Sequence, residues 1–189
     1  MTQQGKNAID LVLAESLIEL SAKKPIDKIT IKEITDKAGV IRPTFYNHFQ
    51  DKYELIEWII KTELLEPIKP LLNAGMIFEA IVLILNNISA NSVFYKKALK
   101  LEGAVTFNQI AMKCVYEMFM NIIGEKSTGK KSKYRWLTPE VISTYYAQSL
   151  CFITEGWIAQ GMDDIEPKEM AEAYMYLITR SMDDILSEL

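Results

Sequence analysis

Histidine occurs once in this chain and cysteine twice, and neither belongs to a cluster. A single imidazole excludes a His-rich metal site and leaves no obvious triad to assemble. Cys114 and Cys151 have no metal-like spacing. They read as two buried or half-buried thiols in a reducing compartment, not as a disulfide or zinc site. Six prolines and eight glycines among 189 residues leave no segment of low-complexity composition. No apolar run reaches membrane length: residues 76–88 are apolar-rich but hold Glu79, Asn86 and Asn87. With no cleavable signal either, the expectation is a cytoplasmic protein with no membrane partner.

Catalytic constellations are missing as well. Asp163-Asp164 and Asp183-Asp184 are adjacent pairs whose side chains diverge on a helix or turn, so they are poor acid–base partners. Residues 124–131 spell G-E-K-S-T-G-K-K, close to a phosphate-binding loop. Lys131 stands where that loop's Ser or Thr holds magnesium, and a helix precedes it instead of a strand, so it reads as a solvated loop. The chain is therefore expected not to be an enzyme and to need no cofactor or metal.

Strong positive charge is a further absence. The net charge is −4. Residues 1–52 carry 8 Lys/Arg and 7 Asp/Glu, and residues 53–189 carry 13 and 18, giving +1 and −5. Any nucleic-acid binding rests on placed cations (Lys6, Lys28, Lys32, Arg42, Lys52) and not on a general field.

What is present is helical periodicity throughout. A first helix over residues 7–22 carries the stripe Ile9, Leu13, Leu17, Leu20, followed by a connector with Pro25 and Asp27. A helix opening at Lys52 carries Leu55, Ile56, Ile59 and Ile60 to about Glu66, where Pro67 and Pro70 break it. The body then reads as helices over 77–88, from Asn91 or Ser92 to about 101, 104–123, 138–161 and a last one from Pro167 to the C-terminus. The fold class is all-α, with a three-helix head over residues 1–52 and a helical body over 53–189.

Residues 30–52, TIKEITDKAGVIRPTFYNHFQDK, are the most specific stretch. Thr30 and Glu33 have capping-box spacing, and Ile31, Ile34 and Ala38 form one apolar face. Gly39 follows where a left-handed residue is needed. Pro43 sits at the opening of the next helix, where its missing N–H costs nothing. Phe45 and Phe49, four apart, point to the core. Arg42, Thr44, Tyr46, Asn47 and His48 are left on or beside the outer face, with side chains suited to base edges and phosphates. This is helix-turn-helix spacing, whose second helix enters the major groove of double-stranded DNA.

The run A-G-V-x-R-P-T-F-Y-N-H-F-x-D-K resembles the TetR family of bacterial transcriptional regulators, over roughly residues 8–60. The resemblance implies that Tyr46, His48 and Lys52 contact phosphates, with Thr44 assisting. It places Arg42, Pro43, Thr44 and Asn47 nearest the bases, and Lys32 at the groove edge. Ile41 departs from the family, which often has Ser or another polar cap there. It cannot accept an N–H bond, at a cost of about 1 kcal/mol to the helix start.

The resemblance further implies a homodimer built on the last two helices, with Ala147, Ser149, Ile153, Ala159, Ala173 and Leu177 in its core; the alternative is that these helices close a monomer. The function implied is a ligand-responsive repressor on a near-palindromic operator. Its partner in the body is a small apolar effector or a protein co-regulator. Trp58, Phe107, Met112, Tyr116, Tyr145 and Phe152 are the candidate effector contacts, although such residues at helical spacing are equally what a core looks like. A reading from another class is a helical protein–protein co-regulator that does not bind DNA itself.

Overall fold

The computed structural model describes residues 3–103, 105–126 and 133–188, with side chains from residue 8 onward. The Lys6 side chain, Ala104 and the greater part of the G-E-K-S-T-G-K-K run, Ser127 to Lys131 included, lie outside what it describes. The described residues hold helices and no strand.

Helix α1 (Gln3–Lys23) buries Leu13, Ala14 and Leu17 along one stripe. Ser16 and Ser21 are buried too, and their hydroxyls donate back to the carbonyls of Val12 and Ile18. After Pro25 a single 3-10 turn, Ile26–Lys28, plugs Ile26 into the core. Helix α2 (Ile31–Ala38) starts on the expected capping box: Thr30 accepts from the Glu33 N–H, and Glu33 accepts from the Thr30 N–H. It ends on Gly39 at φ 68°. No atom crowds that position, so the left-handed backbone alone calls for glycine. Helix α3 (Arg42–Tyr46) follows at once, and α4 (Lys52–Ile59) begins on Asp51, whose carboxylate accepts from Tyr53 and Glu54.

The body differs from the sequence expectation in three places. The fourth helix does not stay regular to Glu66: residues Ile60–Leu65 are π-helical, and Glu66 N–H donates to the Lys61 carbonyl five residues back. Asn87 supports this stretch by donating to the Glu63 carbonyl at 2.8 Å. A short helix, α5 (Lys69–Asn73), then follows Pro67 and starts around Pro70. Finally, the last helix is two: α10 (Pro167–Thr179) ends on extended Arg180, and α11 (Met182–Glu188) restarts on Ser181. Ser181 and Asp184 form a second reciprocal cap, which explains the restart.

Between them, α6 (Ile77–Ala90) buries Ala80, Ile81, Ile84, Leu85 and Ile88 as the central helix. It bends by 89° into α7 (Ser92–Ala98). Helix α8 (Phe107–Lys126) starts on Thr106 and Gln109 and lies along α9 (Pro139–Ala159), while α10 lies along α6. Helix α1 packs on α2, α4 and α7, so one continuous apolar core runs from head to body. No single described helix is long and apolar enough to cross a membrane.

Candidate nucleic-acid interface

The α2–turn–α3 unit is fixed from behind by two aromatic side chains in the core, as expected, and by two polar ones expected on DNA. Phe45 is fully buried and Phe49 nearly so; their rings lie 5.9 Å apart, and Phe49 meets Trp58 at 6.3 Å. His48 was expected on a phosphate. Its side chain instead retains 2% of its surface, and Nδ1 lies 2.6 Å from the Asp10 carboxylate of α1. Asp10 lies on the Leu13–Leu17 stripe, and a carboxylate there requires a partner. That misplaced charge was the sequence signal for the pair.

Lys52 is the second correction. Its ammonium has three donors, and all three are occupied by the carbonyls of Ile26 (2.9 Å), Asp27 (2.7 Å) and Ile29 (3.2 Å). Burial, helped by Lys24 and Lys28, lowers its pKa against the pull of Asp27 and Asp51. The residue expected to grip a phosphate thus closes the connector between α1 and α2.

Outward, the arrangement is sparse. Arg42, Pro43, Tyr46 and Asn47 are exposed on the recognition helix and its end, Thr44 is half-buried, and Lys32 is exposed on α2. The Arg42 guanidinium donates to the Tyr46 hydroxyl at 3.4 Å. Ile41 makes no side-chain cap and is 69% exposed. The face offers hydrogen-bond donors, acceptors and apolar edges on a short rigid helix, the chemistry that base edges and phosphates require.

Behind the head, a chain of ion pairs ties α4 and its π-helical extension to α8. Glu57 meets Lys113 and Lys61 at 2.8 and 2.7 Å, and Lys61 meets Glu117 at 2.8 Å. Burial alone would push the Glu57 carboxyl up, but Lys113 and Lys61 outweigh it and hold it low.

The six expected effector contacts do not converge. Phe107 lines an apolar cavity of about 50 Å³ with Ile60, Leu64, Ile84, Tyr95 and Leu150. Trp58, Met112 and Tyr116 are half-buried against the core. Tyr145 and Phe152 are 61% and 76% exposed, so they face outward instead of lining an enclosed pocket. A larger space of about 320 Å³ lies between the π-helical stretch and α8, lined by Lys61, Lys69, Cys114, Glu117 and Asn121 among others.

The expected dimer residues also divide. Ala147 is fully buried within the protomer, and Ser149 bonds to Tyr174 there. Ala159, Ala173 and Leu177 are exposed, and Ile153 is half-buried.

A short helix-turn-helix presented on a larger helical body defines a DNA-binding regulator, and the comparisons with known proteins agree. Residues 15–59 match "Bacterial regulatory proteins, tetR family", and residues 76–180 match the TetR-type "Transcriptional regulator C-terminal region". The chain belongs to the TetR family of transcriptional regulators. The HTH-type dhaKLM operon transcriptional activator DhaS of Lactococcus lactis is 26% identical over 152 residues, 79% of each protein. A solved structure of the dihydroxyacetone kinase operon activator DhaS superposes with a TM-score of 0.63 at 21% identity, covering 90% of this chain and 93% of that one. NalD, the secondary repressor of the MexAB-OprM multidrug efflux pump in Pseudomonas aeruginosa, superposes at 0.59 and 12% identity, covering 92% and 96%. At these identities the two structures speak for the fold.

Proposed function

We propose that this regulator acts as a two-fold homodimer on a near-palindromic operator, with residues 1–52 as the DNA-reading unit. Regulators of this family bind DNA operators and act as dimers. The observation that carries the reading for this chain is the split of the recognition element. Phe45, Phe49 and His48 turn inward, while Arg42, Pro43, Tyr46 and Asn47 turn outward. Arg42, Pro43 and Asn47 then meet base edges, with Thr44 beside them, and Tyr46 and Lys32 meet the backbone. Dimerisation is supported by the apolar side chains left bare on α9 and α10, Tyr145, Phe152 and Leu177.

An effector that enters the body between α4, α8 and α9 shifts the spacing of the two heads only by binding one state better than the other. The apolar cavity of about 50 Å³ is far below the roughly 300 Å³ typical of ligand pockets, so a small apolar effector must widen it. Repression follows if the occupied operator blocks transcription. Similarity to DhaS, an activator by name, favours activation as a second reading.

Operator selection from a random duplex pool at two salt concentrations tests the proposal, followed by a reporter carrying the selected site. Enrichment of a two-fold symmetric sequence, weakened by Arg42→Ala and Tyr46→Ala and by added salt, is the expected outcome. A folded dimer that enriches nothing, with and without cell metabolites, sinks the DNA reading in favour of a protein co-regulator. The reporter reads the sign.

A further inference from the structure

We propose that Ile41 is a specificity-determining residue that reads the 5-methyl group of a thymine at the edge of each half-site. The inference rests on the DNA-binding reading above.

Ile41 does the backbone work of a helix cap with no help from its side chain. Its backbone is extended (φ −88°, ψ 153°), and its carbonyl accepts from the Thr44 N–H at 2.9 Å. The side chain forms no hydrogen bond and does not join the core. At 69% exposure it is the barest large apolar side chain among residues 8–60, ahead of Leu11 and Val12 on α1 and of Tyr46. Helices prefer Ser, Thr or Asp at this position, so capping does not account for an isoleucine here.

Its position explains what folding does not. Ile41 immediately precedes the recognition helix, whose N-terminal residues lie nearest the bases in this motif. The two residues that follow it, Arg42 and Pro43, are exposed beside it. Among groups on the major-groove floor, the thymine methyl is the apolar one, and aliphatic side chains recognise it by contact. A branched aliphatic group held out by an extended, hydrogen-bonded backbone is suited to that contact. It would be ill suited to a phosphate, which a polar cap at the same place would bind.

The test uses the full-length dimer and the operator selected as above. Each thymine of a half-site is replaced in turn by uracil, which keeps base pairing and loses only the methyl. Loss of one methyl contact is expected to weaken wild type about fourfold per half-site, at one position in the first or last base pairs of the half-site. Ile41→Ser is expected to bind with a similar deficit and to be indifferent to uracil at that position. Ile41→Val is expected to retain part of the discrimination. Replacing the T·A pair by 5-methylcytosine·guanine, against plain cytosine, is expected to recover the methyl-dependent part for wild type alone. A cooperative melt at the wild-type Tm or above shows that Ile41→Ser is folded in these measurements.

Specific binding by wild type that is insensitive to methyl removal at every thymine overturns the proposal and leaves the DNA reading standing. Equal uracil sensitivity in wild type and Ile41→Ser overturns it as well. Failure of wild type to bind any duplex removes both.

Discussion

The head and the last helices of the body use their side chains in opposite ways. In the head, polar groups are turned inward onto the chain itself: Lys52 on three carbonyls, His48 on Asp10, Thr30 and Glu33 on each other's N–H groups. On α9 to α11 the reverse holds, and large apolar side chains are left bare: Phe152 at 76%, Met182 at 70%, Tyr145 and Leu186 at 61%. The head is thus finished within one protomer, and its backbone is fixed before DNA arrives. The terminal helices leave apolar surface bare, the surface that the dimer proposed above would cover. Pre-organisation limits the entropy lost on binding, and pairing supplies reach across two half-sites.

The largest expected effect tests the unfinished side. Phe152→Arg places a charge on a bare face without touching the core, so the protomer stays folded while the dimer dissociates. Sedimentation should report a monomer, and operator affinity should fall about a hundredfold or more through lost bivalency. A folded dimer with unchanged affinity would move the interface elsewhere.

A pair of variants sharpens the finished side. Arg42→Ala should cut operator affinity about tenfold with no change in Tm, because among the described residues its side chain bonds only to the exposed Tyr46 hydroxyl. Lys52→Met should do the opposite. It strips three charge-assisted bonds from the α1–α2 connector and costs about 2 kcal/mol, read as a fall in Tm of several degrees. If Lys52→Met left Tm intact and lost only affinity, the phosphate role would be restored.

A smaller effect concerns the π-helical stretch that joins the head to the body. Burial, with Glu15 adding to it, pushes the Glu63 carboxyl above its ordinary range. The folded chain therefore keeps that proton to higher pH than the unfolded chain does. Stability falls as pH rises from the ordinary carboxylate range to the raised value, then levels off. Glu63→Gln keeps the acceptor for Asn91 and should remove that fall, so it should melt higher than wild type at neutral pH and alike in acid. Smallest is the thiol effect. Burial pushes Cys114 and Cys151 up to about 12, so native protein should resist alkylation at neutral pH and react at both sites once unfolded.

Local signals were legible and remote partners were not. Thr30, Glu33 and Gly39 act within a few residues of themselves, and their spacing alone gave the first helix-turn. The inward turn of His48 and Lys52 is not legible in local spacing, because their partners stand 38 and 26 residues away. Tyr145 and Phe152 sit on a long helix with apolar residues around much of it, so spacing could not tell a cavity wall from a partner face. The break before α11 was legible in principle, since Ser181-x-x-Asp184 has the same form as Thr30-x-x-Glu33. It was hidden by apolar residues continuing on both sides.

The recognition helix has five residues, and Phe45 is the one it buries. Its outward positions carry almost none of the stability, because the connector, the turn and the pair beneath hold the backbone from elsewhere. Substitutions at exposed positions of this kind usually change stability by within about 0.5 kcal/mol. Over evolutionary time such a surface is free to drift: a duplicated copy can exchange its reading residues one at a time, acquire a new binding site and remain folded at every step.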